Sequence, residues 1–201
     1  MRDDDAYRLI RACFESLDEA RDLLSREPAL VDSLTGLGET PLHFLAVEDQ
    51  LDAVKLLFEQ GASLDTQNRF GDSALAEVAS LGHVALLDWM LAQGATLALP
   101  AQNESTLHAA VRGGSAEVVR RLLAAGADAT EADSLGRTPL HEAAGDDERV
   151  GLISILVAAG ADIDAVGLFD ETPLDHARSS GALACADRLV GLGARSNSSA
   201  S

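Results

Sequence analysis

Apolar residues recur along this chain in pairs of helical segments, and short polar stretches separate the pairs. In residues 116–123 the valines and leucines return at intervals of three and four, which is typical of one face of a helix. Gly126 follows that segment, and glycine accepts the left-handed conformation that favours a helix end. The pattern therefore predicts units of helix, turn, helix and polar loop.

The unit returns with a nearly constant period. Leucines near the start of the first helix lie 33, 33, 32, 33 and 34 residues apart, at Leu9, Leu42, Leu75, Leu107, Leu140 and Leu174. A second landmark, the Gly-Ala pair that ends the second helix, follows the leucine by 19 residues in most units and by 20 in the fifth. Two landmarks that share a period near 33 residues predict stacked repeats, each packed on its neighbours.

The most regular part of each repeat is a tetrad, Thr-Pro-Leu-His at residues 138–141 and 40–43. Thr40, Thr138 and Thr172 are predicted to cap the first helix through their hydroxyl groups. The proline that follows suits the first helical position, because no amide hydrogen is needed there. Two alanines after Glu142 leave a face that a neighbouring helix can approach closely.

These features together resemble the ankyrin repeat family. The tetrad continues as Glu-Ala-Ala, the second helix ends at Gly-Ala, and residues 133–137 read Asp-Ser-Leu-Gly-Arg; the resemblance covers roughly residues 5–195. It implies an all-α solenoid of six stacked ankyrin repeats, each a helix-turn-helix with a β-hairpin or loop tip, with terminal repeats that act as caps. It also implies a concave face of tips and first helices that binds other proteins.

We expect one repeat domain over residues 1–195, followed by a disordered polar tail over 196–201. The repeats are placed at about 5–37, 38–71, 72–103, 104–136, 137–170 and 171–195. The third repeat departs most, because its tetrad lacks both proline and histidine and its following tip, residues 97–103, is one residue short and is predicted to be irregular. The fifth repeat carries one extra residue in the acidic stretch 145–149, between its helices.

Charge narrows the class of partner. The formal net charge is −18 and the pI is about 4.4. Such a field repels nucleic acid and anionic membranes and speeds encounter with basic proteins, although solubility alone is an equal interpretation. Without an apolar leader or a run of 18 apolar residues, we expect a soluble, cytoplasmic, monomeric protein. Arginine and alanine dominate while Lys55 is the single lysine, which favours a GC-rich, bacterial source. We expect a free-standing repeat protein.

Candidate chemistry is sparse. His43, His108 and His141 occupy the tetrad position, where the resemblance implies that the ring bonds the neighbouring backbone and the tetrad threonine. No His-x-x-x-His, paired cysteines or His/Cys cluster offers converging metal ligands, and no phosphate-binding or nucleophile motif occurs. Cys13 and Cys185 belong to the first and last repeats and are expected to be free thiols. We therefore expect no catalysis, no cofactor and no metal.

The run of acids at residues 146–148 has two interpretations. A calcium loop alternates its ligands and includes a glycine turn, whereas consecutive carboxylates point in different directions. We therefore favour an acidic loop that faces solvent or a partner. Asp162 and Asp164 are interpreted as solvated in the same way.

Positions that the family varies form the candidate binding face. The predicted partner-binding residues are Leu37, Glu39, Arg69, Phe70, Asp72, Ser80, Leu81, Arg112, Leu135, Arg137, Phe169 and Glu171. Leu37, Phe70, Leu135 and Phe169 of this set, surrounded by charged residues, resemble the apolar anchors and polar rim of an interface. The alternative is packing on the adjacent tip, which we favour for Leu37 and Leu135 and leave open for Phe70 and Phe169.

The function predicted from the sequence is binding of a partner protein, which is basic if the charge is functional. Two narrower roles stay open. One is an inhibitor or immunity-type protein that blocks a basic toxin or enzyme, and the other is an accessory adaptor subunit that positions an enzyme's partner. The sequence predicts no nucleic-acid and no membrane partner.

Overall fold

The computed structural model describes residues 2–99 and 104–197, with side chains from Asp5 onward in those ranges. The chain divides into two compact units, unit 1 (Met1–Gln102) and unit 2 (Asn103–Ser201). The helices of unit 1 are α1 (Arg2–Glu15), α2 (Leu17–Arg26), α3 (Pro41–Val47), α4 (Leu51–Glu59), α5 (Ala74–Leu81) and α6 (Val84–Ala92). Those of unit 2 are α7 (Thr106–Gly113), α8 (Ala116–Ala124), α9 (Pro139–Ala144), α10 (Val150–Ala158), α11 (Pro173–Ser180) and α12 (Leu183–Gly191).

Each unit is a stack of helix pairs, which confirms the all-α solenoid architecture. In unit 1 the first helices α1, α3 and α5 pack in succession, and in unit 2 α7, α9 and α11 do the same. Small and branched residues fill the layers between them; Leu42, Ala46, Leu140 and Ala143 are all fully buried. Burying a leucine side chain contributes about 1.5–3 kcal/mol, so the repeated leucine is the main apolar anchor of each pair.

Two of the three predicted threonine caps form as predicted, whereas the Thr138 hydroxyl lies 3.0 Å from His141 Nδ1 instead. The hydroxyl oxygen of Thr40 accepts from the His43 amide at 3.2 Å, and that of Thr172 accepts from the Asp175 amide at 3.2 Å. The prolines occupy the first residue of α3, α9 and α11. In repeat 3, which lacks proline, the Ser73 hydroxyl oxygen still accepts from the Ala76 amide at 3.2 Å. The cap therefore survives the loss of the proline.

The tips are tight turns closed by two backbone hydrogen bonds. The Asn68 amide donates to the Asp72 carbonyl and the Gly71 amide to the Asn68 carbonyl, both at 3.0 Å. The same pair of bonds closes the tips at residues 35–39, 133–137 and 167–171. Within the described residues, strand pairing is limited to one antiparallel bridge, Gln67 with Ser73. The implied hairpins are therefore reduced here to their turns.

A left-handed residue ends each of these turns. Glycine serves at Gly38, Gly71 and Gly136, with φ of 80°, 87° and 70°. Asp170 takes the equivalent place with φ of 56°, a conformation that aspartate tolerates better than most residues. At Gly136 an added Cβ would lie 3.1 Å from the Leu168 amide nitrogen. Glycine there therefore allows two tips to approach.

Three sequence predictions concern the start of repeat 1, the irregular third tip and the boundaries of the repeats. Helix α1 begins at Arg2, earlier than the predicted start of repeat 1. Of the tip predicted to be irregular, residues 97–99 lie outside any helix, and residues 100–103 are outside the described part of the chain. The boundaries of the repeats and the single-domain organisation stay predictions.

The acidic stretch of repeat 5 caps helices. Residues Asp147–Arg149 form a short 3₁₀-helix, and the Asp146 carboxylate accepts from the Glu148 amide at 3.0 Å. The Asp147 carboxylate accepts from the Cys185 amide at 3.0 Å, near the start of α12. A carboxylate at a helix N-terminus is favourable, so two of the three acids stabilise the chain itself.

The two cysteines lie in the first and last repeats of the chain, as free thiols. Cys13 and Cys185 are free and buried, and burial raises the pKa of each thiol to about 11.

Ser196 and Asn197 both donate to the Asp175 carboxylate. The prediction of a disordered tail stays a prediction for residues 198–201, which lie outside the described residues.

Among the helices of the described residues, none combines the length and the apolar character needed to cross a bilayer.

Candidate protein-binding face

In unit 1 the predicted binding residues cluster on two neighbouring tips. The Arg69 amide donates to the Leu37 carbonyl at 3.1 Å, and its guanidinium donates to the Gly36 carbonyl at 2.9 Å. The same guanidinium lies 5.0 Å from the centre of the Phe70 ring, within cation–π range. Phe70 remains 57% exposed and Leu37 42%. The two tips thus present an apolar pair bridged by one arginine.

In unit 2 two other tips repeat this arrangement without the arginine. The Leu168 amide donates to the Leu135 carbonyl at 3.1 Å, the same bond that joins the tips of unit 1. Leu135 is 41% exposed, Leu168 66% and Phe169 74%. We call Leu135, Leu168 and Phe169 the unit 2 tip patch. Its exposed apolar side chains are more extensive than those of unit 1.

The polar residues of the predicted set differ in how strongly their side chains are already bonded within the chain. The Arg137 guanidinium donates to the Asp133 carboxylate at 3.0 and 3.1 Å, within its own tip. The Glu171 carboxylate lies 3.4 Å from the His176 ring. Asp72 is half-buried beside Asn68, whose side-chain amide nitrogen lies 3.5 Å from the Asp72 carboxylate. These side chains hold the shape of the tips before any partner arrives.

The first helices contribute three predicted residues. Leu81 ends α5 and is 54% exposed, and Ser80 beside it is half-buried. Arg112 lies in α7, is exposed, and pairs with Glu104. Leu81 and Ser80 lie at the end of α5, so they extend the candidate face from the tips onto a first helix.

Leu168 and Val166, which are 66% and 52% exposed, were missing from the predicted face. Leu168 occupies the tip position that Arg69 holds in unit 1, so alignment of the tips by their shared turn would have found it. Val166 precedes the turn, and the sequence carries no signal for its exposure.

The tetrad histidines of unit 2 fulfil the role that the resemblance implies. The His141 Nδ1 accepts from the Thr138 amide at 3.1 Å, so its Nε2–H donates to the Glu171 carbonyl at 3.1 Å. His108 is held alike, by the Ser105 hydroxyl at 2.9 Å and the Arg137 carbonyl at 2.9 Å. Burial lowers the pKa of both imidazoles, so both rings are neutral at pH 7.

The expectation for His43 was wrong. Its ring bonds neither the tetrad hydroxyl nor a backbone carbonyl; instead Nε2 lies 3.3 Å from the Glu77 carboxylate. Its Nδ1 is the one buried side-chain polar atom without a partner in the described part of the chain. Glu39, His43 and Glu77 each bring a potential ligand atom to within 4.8 Å of the others. The spacing of histidines and cysteines gives no sign of this group, because two of its three ligands are carboxylates that come together only when adjacent repeats pack.

Comparison with protein families agrees with this architecture. A family model described as ankyrin repeats (3 copies) matches residues 9–101 and again residues 107–200. The two matches fall on unit 1 and unit 2 and together cover most of the chain.

Three curated proteins illustrate the similarity. The chain is 31% identical over 171 residues to the nuclear factor NF-kappa-B p105 subunit of Gallus gallus, covering 82% of the chain and 17% of that protein. It is 34% identical over 179 residues to ankyrin repeat and SOCS box protein 16 of Homo sapiens, covering 84% of the chain and 39% of that protein. It is 31% identical over 144 residues to an L-asparaginase of Dirofilaria immitis, covering 70% of the chain and 24% of that enzyme. The chain thus spans well under half the length of these relatives.

Proposed function

Because the chain belongs to the ankyrin repeat family, whose repeats are protein–protein interaction modules, we propose that it binds a basic partner protein through its tips and acts without catalysis. The observation that carries the proposal is the exposure of two phenylalanines at equivalent tip positions, Phe70 at 57% and Phe169 at 74%. Large aromatic side chains left in water at a turn that holds its own shape are typical of binding anchors.

Charge supports a basic partner. With a formal charge of −18, the chain attracts cationic surfaces over distances of about a Debye length, roughly 8–10 Å at physiological salt. Acidic side chains also border the anchors: Asp72 follows the Phe70 tip, and Asp170 and Glu171 follow Phe169. A basic rim on the partner would complement them and raise the association rate.

The narrower roles follow from what the partner does. If the tips cover the working surface of a toxin or enzyme, the chain is an inhibitor or immunity-type protein. If they hold the partner beside its target, it is an accessory adaptor subunit. Adding the purified chain to the identified partner distinguishes the roles: lost activity indicates the inhibitor, and gained activity the adaptor. Action as a monomer in the cytoplasm belongs to the same proposal.

The test is affinity capture on the immobilised full chain from a lysate of the encoding organism, at about 50 and about 500 mM salt. We expect a partner that binds wild type and is lost on Phe169→Ala or Phe70→Ala, with affinity lowered about 30-fold or more once it is purified, as for interface hot spots. Leu183→Ala and Phe14→Ala are matched controls, because these side chains are 70% and 50% exposed and lie away from the tips, in α12 and α1.

The result can fail in two informative ways. A partner held equally by wild type and both phenylalanine variants would place the interface elsewhere and overturn binding through the tips. For the charge, Asp72→Lys should slow association more than Glu59→Lys, which makes the same change of net charge at an exposed position at the end of α4. Equal rates for the two variants would overturn the basic partner.

A further inference from the structure

Repeat 2 holds a cluster that the binding proposal does not use. Glu39 ends the first tip of unit 1, His43 ends the tetrad of α3, and Glu77 lies in the first turn of α5. Their ligand atoms all lie within 4.8 Å of one another, and the His43 Nε2 is 3.3 Å from Glu77 Oε2. A buried imidazole nitrogen therefore points at two carboxylates.

The imidazole is in an unusual state for a tetrad histidine. His43 is fully buried, yet its Nδ1 has no hydrogen-bond partner, whereas both ring nitrogens of His141 are bonded. Leaving a buried polar atom unpaired costs about 1–3 kcal/mol. The ring lacks the hydrogen bonds that hold the other tetrad histidines, and its Nε2 faces the carboxylates. A cation bonded at Nε2 would offset the cost of the unpaired Nδ1.

The surroundings orient the carboxylates. The Thr35 hydroxyl lies 3.1 Å from one Glu39 oxygen and donates to it, and the buried Asn68 amide donates to Glu77 at 3.3 Å. Such outer contacts position ligands in metal sites. Among the described ion pairs, Glu77 contacts only His43, so no lysine or arginine neutralises it there. Two ionised carboxylates and an imidazole, which binds metal in its neutral form, would together carry two negative charges and match a divalent cation.

We propose that Glu39, His43 and Glu77 form a site for a divalent transition-metal ion of the zinc class. One nitrogen and two oxygens suit zinc, which binds such ligands at about 2.0–2.2 Å and therefore holds them about 3.4 Å apart in a tetrahedron. His43 and Glu77 already have that separation. Glu39, half-buried on a flexible side chain, needs to move by only about 1–1.5 Å. Calcium and magnesium prefer all-oxygen ligands, so the imidazole selects against them.

Unit 2 provides a matched control. Glu142 stands in α9 where Glu77 stands in α5, one residue after the tetrad, but it pairs with Arg149 at 3.1 Å. The ring of its neighbour in the preceding repeat, His108, bonds a serine and a backbone carbonyl. The same sequence positions are thus present in unit 2 without an available carboxylate, and no zinc site is expected there.

The test is isothermal titration of the metal-free full chain with zinc chloride, with calcium chloride as a second titrant. We expect one zinc per chain for wild type and for Glu142→Gln, and affinity weakened at least about tenfold in Glu77→Gln and in Glu39→Gln. Calcium should bind far more weakly than zinc. Circular dichroism confirms that these near-isosteric variants fold, and zinc should raise the melting temperature of wild type but not of Glu77→Gln.

Two results would overturn the site. One is the absence of saturable zinc binding by the folded wild type. The other is zinc affinity in Glu77→Gln and Glu39→Gln equal to that of wild type, which would assign binding to other carboxylates of this acidic chain. Neither result bears on partner binding through the tips, because the phenylalanine variants test that separately.

Discussion

His43 in unit 1 and His141 in unit 2 end two copies of the same tetrad, Thr-Pro-Leu-His, and yet their rings make different contacts. Both are fully buried. His141 is hydrogen-bonded through both nitrogens, to Thr138 and to the Glu171 carbonyl, whereas His43 faces Glu77 and leaves Nδ1 unpaired. Identical local sequence therefore does not determine what a buried ring contacts, because one partner of each ring, the Glu77 carboxylate or the Glu171 carbonyl, comes from the next repeat.

The residue that follows the tetrad of the next repeat explains part of this difference. For His43 that residue is Glu77, whereas for His141 it is His176, which offers no carboxylate. For His108, the other tetrad histidine of unit 2, the equivalent residue is Glu142, which pairs with Arg149 instead. In unit 1 the loop between α5 and α6 is short and contains Gly82 and His83, so Glu77 has no arginine there and turns to His43 and Asn68.

The largest effect expected from this comparison is on stability. His141→Ala should lower the free energy of unfolding by about 3 kcal/mol, because it leaves the buried Thr138 amide and the Glu171 carbonyl unpaired. His43→Ala should cost less, about 1–2 kcal/mol, since its ring satisfies no backbone group. Urea denaturation followed by circular dichroism measures both. Equal losses would show that the two rings contribute alike and would contradict the comparison.

A smaller effect is expected at Asp175, which replaces the tetrad histidine in repeat 6. Burial opposes its ionisation, but hydrogen bonds from Ser196, Asn197 and Thr172 outweigh burial and hold its pKa well below the usual range. Asp175→Asn should cost about 2 kcal/mol at pH 7, the scale of hydrogen bonds to a charged group.

The pH dependence of this effect has a definite sign. Because the folded pKa of Asp175 is depressed, its contribution is complete above the unfolded pKa, about 3.9, and is lost as pH falls below that value. The difference between wild type and Asp175→Asn should therefore shrink in urea titrations below pH 4. Asp187→Asn, at an exposed position of α12, is the control. A difference that persists unchanged at low pH would show that charge is not its source.

The smallest effect is the response of unit 2 to mild acid. Burial lowers the pKa of His108 and His141, so the unfolded chain binds protons first as pH falls below about 6.5. Stability should then fall by at most about 1.4 kcal/mol per pH unit for each histidine. Urea titrations at pH 7.5 and 5.5 check this, and His108→Gln should reduce the slope. An unchanged slope would mean that His108 titrates alike in both states.

The sequence was most informative where a residue's partner lies a few positions away. The threonine caps, the prolines at the first helical residue and the glycines of the tips were all predictable, because each acts within about four residues of backbone. The sequence left open whether Phe70 and Phe169 stay exposed, and the structure shows both exposed. The contacts of His108 and His141 were implied by family resemblance and found in the structure.

Other features depended on neighbouring repeats. The cap that Asp147 provides for α12 joins residues 38 positions apart, and the tip contact of Leu168 with Leu135 joins residues 33 apart. The convergence of Glu39 and Glu77 on His43 needs the tip and the next helix to be in place. Periodicity predicted that repeats stack, but side-chain direction within the stack decides which polar groups meet.

The sequence by itself determined a stack of ankyrin repeats, their caps and turns, and an acidic surface suited to protein binding. These follow from a period near 33 residues and from local backbone requirements that every repeat satisfies alone. Only the tertiary structure decided which tip residues stay exposed, and that one tetrad histidine contacts a carboxylate of the next repeat instead of a backbone carbonyl. The physical reason is that burial and electrostatic environment are properties of neighbours in space, which each repeat acquires only when the next one packs against it.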